Sequence, residues 1–142
     1  MEKPSKVIIA DKHGTYKGFD YLVLNARNTH YCAYIRIPES HPFYRMPYLS
    51  IDLNCHGGLT FGEMTSFENV RVMEWDSRFY GFFWQGRWNE EKVRKGYWLG
   101  WDYYHDGDFC PAFPERDGRE WTADEIVLEA KMVIEELIKK AN

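Results

Sequence analysis

Residues 121–140, WTADEIVLEAKMVIEELIKK, decide the class of the fold, because they read as one amphipathic helix whose start is written into the sequence. Thr122 precedes Glu125 by three residues. At that spacing the Thr hydroxyl accepts from the Glu amide while the Glu carboxylate reaches back to the Thr amide, a capping box. Trp121 and Ile126 flank the box as a hydrophobic staple. Ile126, Ala130, Val133, Ile134, Leu137 and Ile138 then fall on one face. Asp124 and Glu125 in the first turn and Lys139 and Lys140 in the last complement the helix dipole. Such a stripe is expected to pack on a sheet.

Working back from the helix, the rest of the chain reads as that sheet. Phe19–Asn25 (FDYLVLN) and Tyr31–Ile37 (YCAYIRI) are rich in β-branched and aromatic residues, and residues 26–30 hold Asn and Thr turn formers. A β-hairpin is the natural reading. Pro38 ends its second strand, and residues 39–47, with Pro42 and Pro47, form an ordered loop or short 3₁₀ turn. In residues 48–55 (YLSIDLNC), Leu49, Ile51 and Leu53 alternate with Ser50, Asp52 and Asn54, the period of a half-buried strand. Gly57-Gly58 break that strand and residues 59–61 resume it. Residues 70–75 are a candidate strand, 81–88 an aromatic-rich excursion, 97–102 (YWLGWD) a central strand, and 103–118 a long loop of Asp, Gly and Pro. The expectation is an α+β fold in a single domain over residues 1–142. Its sheet is mainly antiparallel and twisted, with one long C-terminal helix packed on it.

Composition narrows the function classes. The chain has 142 residues, 44% hydrophobic and 18% aromatic, with ten Tyr, nine Phe and six Trp. So many rings exceed what a small core needs, and some are expected on a surface for ligand stacking or subunit contacts. The net charge of -4 lacks the positive field that a DNA or RNA polymer demands. Residues 1–60 carry seven Lys/Arg against five Asp/Glu, and residues 61–142 eleven against seventeen, so a small anion is better served by the first half. Cys32, Cys55 and Cys110 are odd in number and widely spaced, which reads as reduced thiols. Only Val7 to Ala10 are apolar near the N-terminus, too short for a signal-peptide core, and no stretch approaches about 18 apolar residues. A cytoplasmic protein with no membrane partner is expected.

Two segments carry chemistry. In Cys55-His56-Gly57-Gly58-Leu59-Thr60, paired glycines let the backbone approach an anion, and His56 can read a ligand edge. The plainer alternative is a bulge or tight turn. In Trp101-Asp102-Tyr103-Tyr104-His105-Asp106-Gly107-Asp108, the residues Asp102, His105 and Asp108 stand three apart. That spacing suits either a His tautomer fixed by carboxylates or a divalent metal, with His56 the candidate further ligand. The plainer alternative is Asp-Gly-Asp turn chemistry. His13-Gly14-Thr15 has no second His-x-Thr to pair with in a two-histidine phosphoesterase mechanism. No Walker-type loop, GxSxG elbow, HExxH or dinucleotide fingerprint occurs, so no cofactor is expected. Arg27, Arg36 and Arg45 are candidate phosphate contacts or simply solvated charges.

The blocks YKGFDYLVL (16–24), CAYIRIPESHPFY (32–44), IDLNCHGGLTF (51–61) and WLGWDYYHDGD (98–108), followed by a terminal helix, resemble a group of small proteins encoded by bacteriophages and prophages. Members carry GHPxY, HGGLT(Y/F) and GFDxxHxGD segments. Ser40 stands here in place of the glycine before His-Pro, and Trp101 in place of the usual Phe. The likeness spans most of the chain except residues 62–96. By further analogy it implies a phage protein, acting in the host bacterial cytosol, that counters immunity by sequestering a nucleotide second messenger such as a cyclic dinucleotide. A homo-oligomer is expected, with Tyr44, Trp98, Trp101 and Tyr103 stacking on bases and the Gly57-Gly58 amides with an Arg holding phosphate. His56 and His105 would read polar edges, so the ligand set is His56, Gly57, Gly58, Thr60, Trp101, Asp102, Tyr103, His105 and Asp108. The alternatives are a hydrolase of a similar nucleotide, using His56 and His105 with Asp102 and Asp108, and a non-enzymatic factor that blocks a host protein.

Overall fold

Lys17 and Gly18 both have positive φ, 48° and 88°, as a two-residue type I′ hairpin turn requires. They join β1 (Ile8–Tyr16) to β2 (Phe19–Asn25), antiparallel with Tyr16 opposite Phe19. The strand β1 was not expected from hydrophobic alternation; the Lys-Gly pair was its signal. The computed structural model describes residues 8–25, 30–65, 70–71, 73–76, 81–84, 95–105, 107–110, 115 and 117–142.

The expected hairpin is present, with β3 (Tyr31–Ile37) antiparallel to β2 and Tyr21 opposite Ile35. Its turn at 26–29 lies outside the described residues. After β4 (Phe61–Thr65) come β5 (Val70–Arg71), β6 (Met73–Asp76) and β7 (Gly81–Trp84), then β8 (Gly96–Asp102), the expected central strand. The main sheet has six strands in the order β4-β8-β3-β2-β1-β5. All its pairings are antiparallel except β1 with β5. The strands β6 and β7 pair separately, so residues 70–75 are strand where described, and residues 85–88 of the aromatic excursion lie outside.

The helix α1 (Ala123–Lys140) begins as read, with Thr122 accepting from the Glu125 amide at 3.2 Å and Glu125 reaching back to the Thr122 amide at 3.1 Å. It packs on one face of the sheet over β1, β2 and β3, giving the α+β fold. Ile126, Ala130, Val133, Ile134 and Leu137 meet Val23, Ala33, Ile35, Ile37, Leu99 and Trp101 in the main core. Leu22, Leu24 and Trp98 form a smaller cluster on the other face with Tyr34 and Phe61. Among the described residues, no helix is long and apolar enough to cross a membrane.

Residues 48–55 are not a strand. Tyr48–Ser50 is a 3₁₀ turn entered from Pro47, and residues 51–55 are extended without a ladder. Leu49 is 85% exposed, whereas Leu53 is buried. The ladder starts only at Phe61, where β4 pairs with β8. Two amides at the end of this segment turn instead to the helix: Asn54 donates to Glu136 Oε1 at 3.0 Å and His56 to Glu129 Oε2 at 2.9 Å. Glu129 and Glu136 are seven residues apart, two turns along one face, so two helix carboxylates replace a neighbouring strand. The preceding loop is anchored by His41, which is buried. Its Nδ1 accepts from the Phe43 amide at 3.0 Å, and its Nε2 donates to the Leu137 carbonyl at 2.7 Å.

Two substitutions test this frame by urea denaturation. Thr122→Ala removes the cap and should destabilise by ~0.5–2 kcal/mol. Leu49→Ser, which a half-buried strand would not tolerate, should stay within about 0.5 kcal/mol of the parent.

Candidate functional site

The carboxylate of Asp108 gathers both chemistry-bearing segments. It is 3% exposed, and its oxygens lie 2.9 Å from His56 Nε2. His105 Nδ1 is 3.2 Å away, the His105 amide donates at 3.1 Å, and Trp121 Nε1 donates at 2.9 Å. An ionised carboxylate only accepts, so it sets the ring tautomers, with the proton of His56 on Nε2 and that of His105 on Nδ1. Burial pushes the Asp108 carboxyl up. The hydrogen bonds from His56 and Trp121 outweigh that, and hold it below its ordinary value.

The supports of this centre come from four directions. Asp102 at the end of β8 places Oδ1 3.5 Å from His105 Nε2. Asp102 is itself fixed by the Tyr104 amide at 3.1 Å and the Thr60 hydroxyl at 3.2 Å. The His56 ring stacks on Tyr103, centroids 4.5 Å apart and planes 9° apart, and meets His105 edge-on at 5.4 Å. Tyr103 donates to Glu129 of the helix; burial first, and then that bond, pushes its phenol well above the ordinary range. The short strands β9 (Gly107–Asp108) and β10 (Gly118–Arg119) pair side by side, which carries the helix start and Trp121 to Asp108. The indole packs edge-on to His56 at 5.0 Å, under the Arg119 guanidinium at 3.8 Å.

The plainer readings of both segments hold for the backbone. Gly58 donates to Cys55 in a tight turn, Asp108 to His105 in another, and Asp102 caps its own turn at Tyr104. The Gly58 amide is therefore engaged rather than aimed at an anion. Gly57 has a specific reason to be glycine: φ is +70°, and a Cβ there would lie 2.3 Å from His105 Cε1.

Of the residues singled out from sequence, His56, Gly57, Thr60, Asp102, Tyr103, His105 and Asp108 come together. Trp101 and Trp98 do not serve as stacking platforms, because both are enclosed, at 1% and 0% exposure. Trp101 donates to the Tyr103 hydroxyl at 3.1 Å, inside the core. Among the residues whose burial is described, each aromatic is buried or half-buried; nine of the 25 rings, Trp75 and Trp88 among them, lie outside those residues. Tyr44 is half-buried against Tyr97. Arg36 is held by Asp20 through Nε at 3.0 Å and Nη2 at 2.8 Å. Arg45 is exposed, and Arg27 lies outside the described residues. All three cysteines are free thiols, and burial pushes Cys32 to about 11 and Cys55 to about 12.

Sequence reading missed two members. Trp121 was assigned only to the staple, and Glu129 sits beside the apolar stripe, where a carboxylate looks like a solvated charge. Next to the cluster, Asn25, His30, Tyr31, Tyr103, Phe109, Glu120 and Trp121 line a cleft of about 150 Å³. Among the described residues, the buried Nδ1 of His30 in that cleft has no hydrogen-bond partner. No protein-family model matches this sequence, and neither a curated protein nor a solved structure matches it.

Gly57→Ala should destabilise by more than the ~1–2 kcal/mol of left-handed strain alone, because the new methyl group displaces His105. Gly58→Ala meets nothing within 4 Å and should show the strain only. Equal unfolding midpoints for the two variants would remove the packing of His105 on Gly57.

Proposed function

We propose that this protein binds and sequesters a small nucleotide, a cyclic dinucleotide or related second messenger foremost, without turning it over. The observation that carries the reading is the cleft beside the His56 cluster. Its walls are four aromatic rings, Tyr31, Tyr103, Phe109 and Trp121, and its polar groups are Asn25, His30 and Glu120. Flat aromatic walls with a few polar edges suit a nucleobase, which stacks regardless of its identity and is read at its rim. At about 150 Å³ the cleft lies below the ~300–1,000 Å³ of a whole-ligand pocket, so it takes one base. The remainder of the nucleotide lies outside it, beside Arg119, whose side chain is 58% exposed and paired with Glu125, a pair that phosphate would have to share. A second protomer would complete the enclosure. Leu128 and Met132, 62% and 71% exposed one turn apart on the helix, provide an apolar patch for such a contact. The sequestering role is proposed by analogy with phage proteins that hold nucleotide messengers, a step beyond the resemblance to the phage-encoded group itself.

A second reading, hydrolysis of the same ligand class, is favoured by one observation: His56 and His105 share a buried carboxylate at the edge of this cleft. Carboxylate-fixed imidazoles are the usual general acid and base.

One experiment separates them. The protein is incubated with a panel of cyclic mono- and dinucleotides, its melting temperature is recorded, and the ligand is recovered by heat denaturation for mass spectrometry. A hundredfold excess over Kd should add ~2.7 kcal/mol of stability and return the ligand intact. Tyr31→Ala should weaken binding by ~1–3 kcal/mol. Cleaved ligand would establish the hydrolase, and no thermal shift with any nucleotide would refute both readings.

A further inference from the structure

We infer that His56 Nε2, His105 Nδ1 and Asp108 form a binding site for a divalent transition-metal ion of the zinc class. The three ligand atoms lie within 4.8 Å of one another. Asp108 Oδ2 stands 2.9 Å from His56 Nε2 and 3.2 Å from His105 Nδ1. Zinc–nitrogen and zinc–oxygen bonds of ~2.0–2.2 Å place neighbouring ligand atoms roughly 2.9–3.5 Å apart, between right-angle and tetrahedral geometry. The two separations from Asp108 fall in that interval. Two imidazoles and one carboxylate are a set that such cations accept with positions left for water or substrate.

The surroundings are those of a metal site as well. A ligating imidazole characteristically gives its other ring N–H to a carboxylate, and His105 Nε2 faces Asp102 Oδ1 at 3.5 Å. A ligating carboxylate is in turn hydrogen-bonded, as Asp108 Oδ1 is by the Trp121 indole at 2.9 Å, while Oδ2 reaches both rings. Ring orientations are set beforehand: His56 is stacked on Tyr103, and His105 lies against Gly57, where a Cβ would collide. Charge argues the same way. Asp102, Asp108 and Glu129 surround the two rings, and among the described residues no Lys or Arg is paired with any of them. A buried carboxylate without a full counter-charge is expensive, and a divalent cation supplies one. The His side chains are 24% and 34% exposed, which leaves an entry path.

On binding, the single proton of each neutral ring passes, by exchange with solvent, from the ligating nitrogen to the other one: from Nε2 to Nδ1 in His56, and from Nδ1 to Nε2 in His105, the latter toward Asp102. Metal binding therefore switches two tautomers, with no net loss of protons from the neutral rings.

The test titrates Zn²⁺ into the full chain, stripped of metal by chelator, by calorimetry. Imidazole ¹⁵N spectra of the wild type are recorded in parallel. Expected are one Zn²⁺ per chain and large shifts at the ring nitrogens of His56 and His105 among the five histidines. Mg²⁺, which prefers oxygen ligands, should give neither. Asp102→Asn, which leaves the three ligands in place, should weaken Zn²⁺ by ~10–100-fold. Absence of stoichiometric binding overturns the inference, as does stoichiometric binding with the His56 and His105 signals unmoved. The wild-type spectra decide the matter even where a ligand variant fails to fold. No nucleotide is needed here, so failure of this site and failure of nucleotide binding are distinguishable.

Discussion

The carboxylate of Asp108 is buried and surrounded by donors from three separate pieces of chain: the His56 ring, the His105 ring and amide, and the Trp121 indole. An anion in that position is tolerated only while those donors are present. The arrangement therefore ties the 55–58 turn, the loop leaving β8 and the entry to the helix into one unit. Trp121 lies immediately before the Thr122 cap, so the helix start and the site share a residue on each side of one peptide bond. Events at the site and fraying of the first helical turn are coupled by that neighbourhood.

The helix is also the template for the segment that delivers His56. Residues 51–55 find no strand to pair with; the Asn54 amide goes to Glu136, and the next amide but one, that of His56, to Glu129. Glu129 uses its other oxygen to accept from Tyr103, on which His56 stacks. One helical carboxylate thus holds the backbone of His56 with one oxygen and the platform for its ring with the other. Buried polar groups completed in this way define a unique arrangement.

Local grammar was legible, and long-range pairing was not. The capping box of Thr122 and Glu125, the apolar face from Ile126 to Leu137, the hairpin of FDYLVLN with YCAYIRI and the central strand YWLGWD all follow from spacing alone. The strand around His13 was hidden because its residues, IIADKHGTY, do not alternate cleanly, and only the Lys17-Gly18 turn betrays it. Residues 48–55 misled for the opposite reason. Ile51 and Leu53 alternate because both rest on the core beside the helix, not because a ladder exists. At the site, proximity of His56 to His105 was suggested by two loops expected to follow strands, though only the second does, since residues 48–55 form none. The contribution of Trp121 was not, since nothing local distinguishes an indole that staples a helix from one that also donates to a distant carboxylate. Trp98 and Trp101 show the converse: ring surplus in a composition does not say which face a strand turns inward.

The central claim is that Asp108 couples the site to the helix entry, and a double-mutant cycle measures it. Asp108→Asn, Trp121→Phe and the double variant are unfolded in urea in the absence of metal. Trp121→Phe keeps a ring at the position and deletes the indole N–H, so the cycle isolates the bond to the carboxylate. A coupling energy of ~0.5–3 kcal/mol is predicted for groups in direct contact. Additivity within about 0.3–0.5 kcal/mol would mean that the indole and the carboxylate act independently, and would contradict the account.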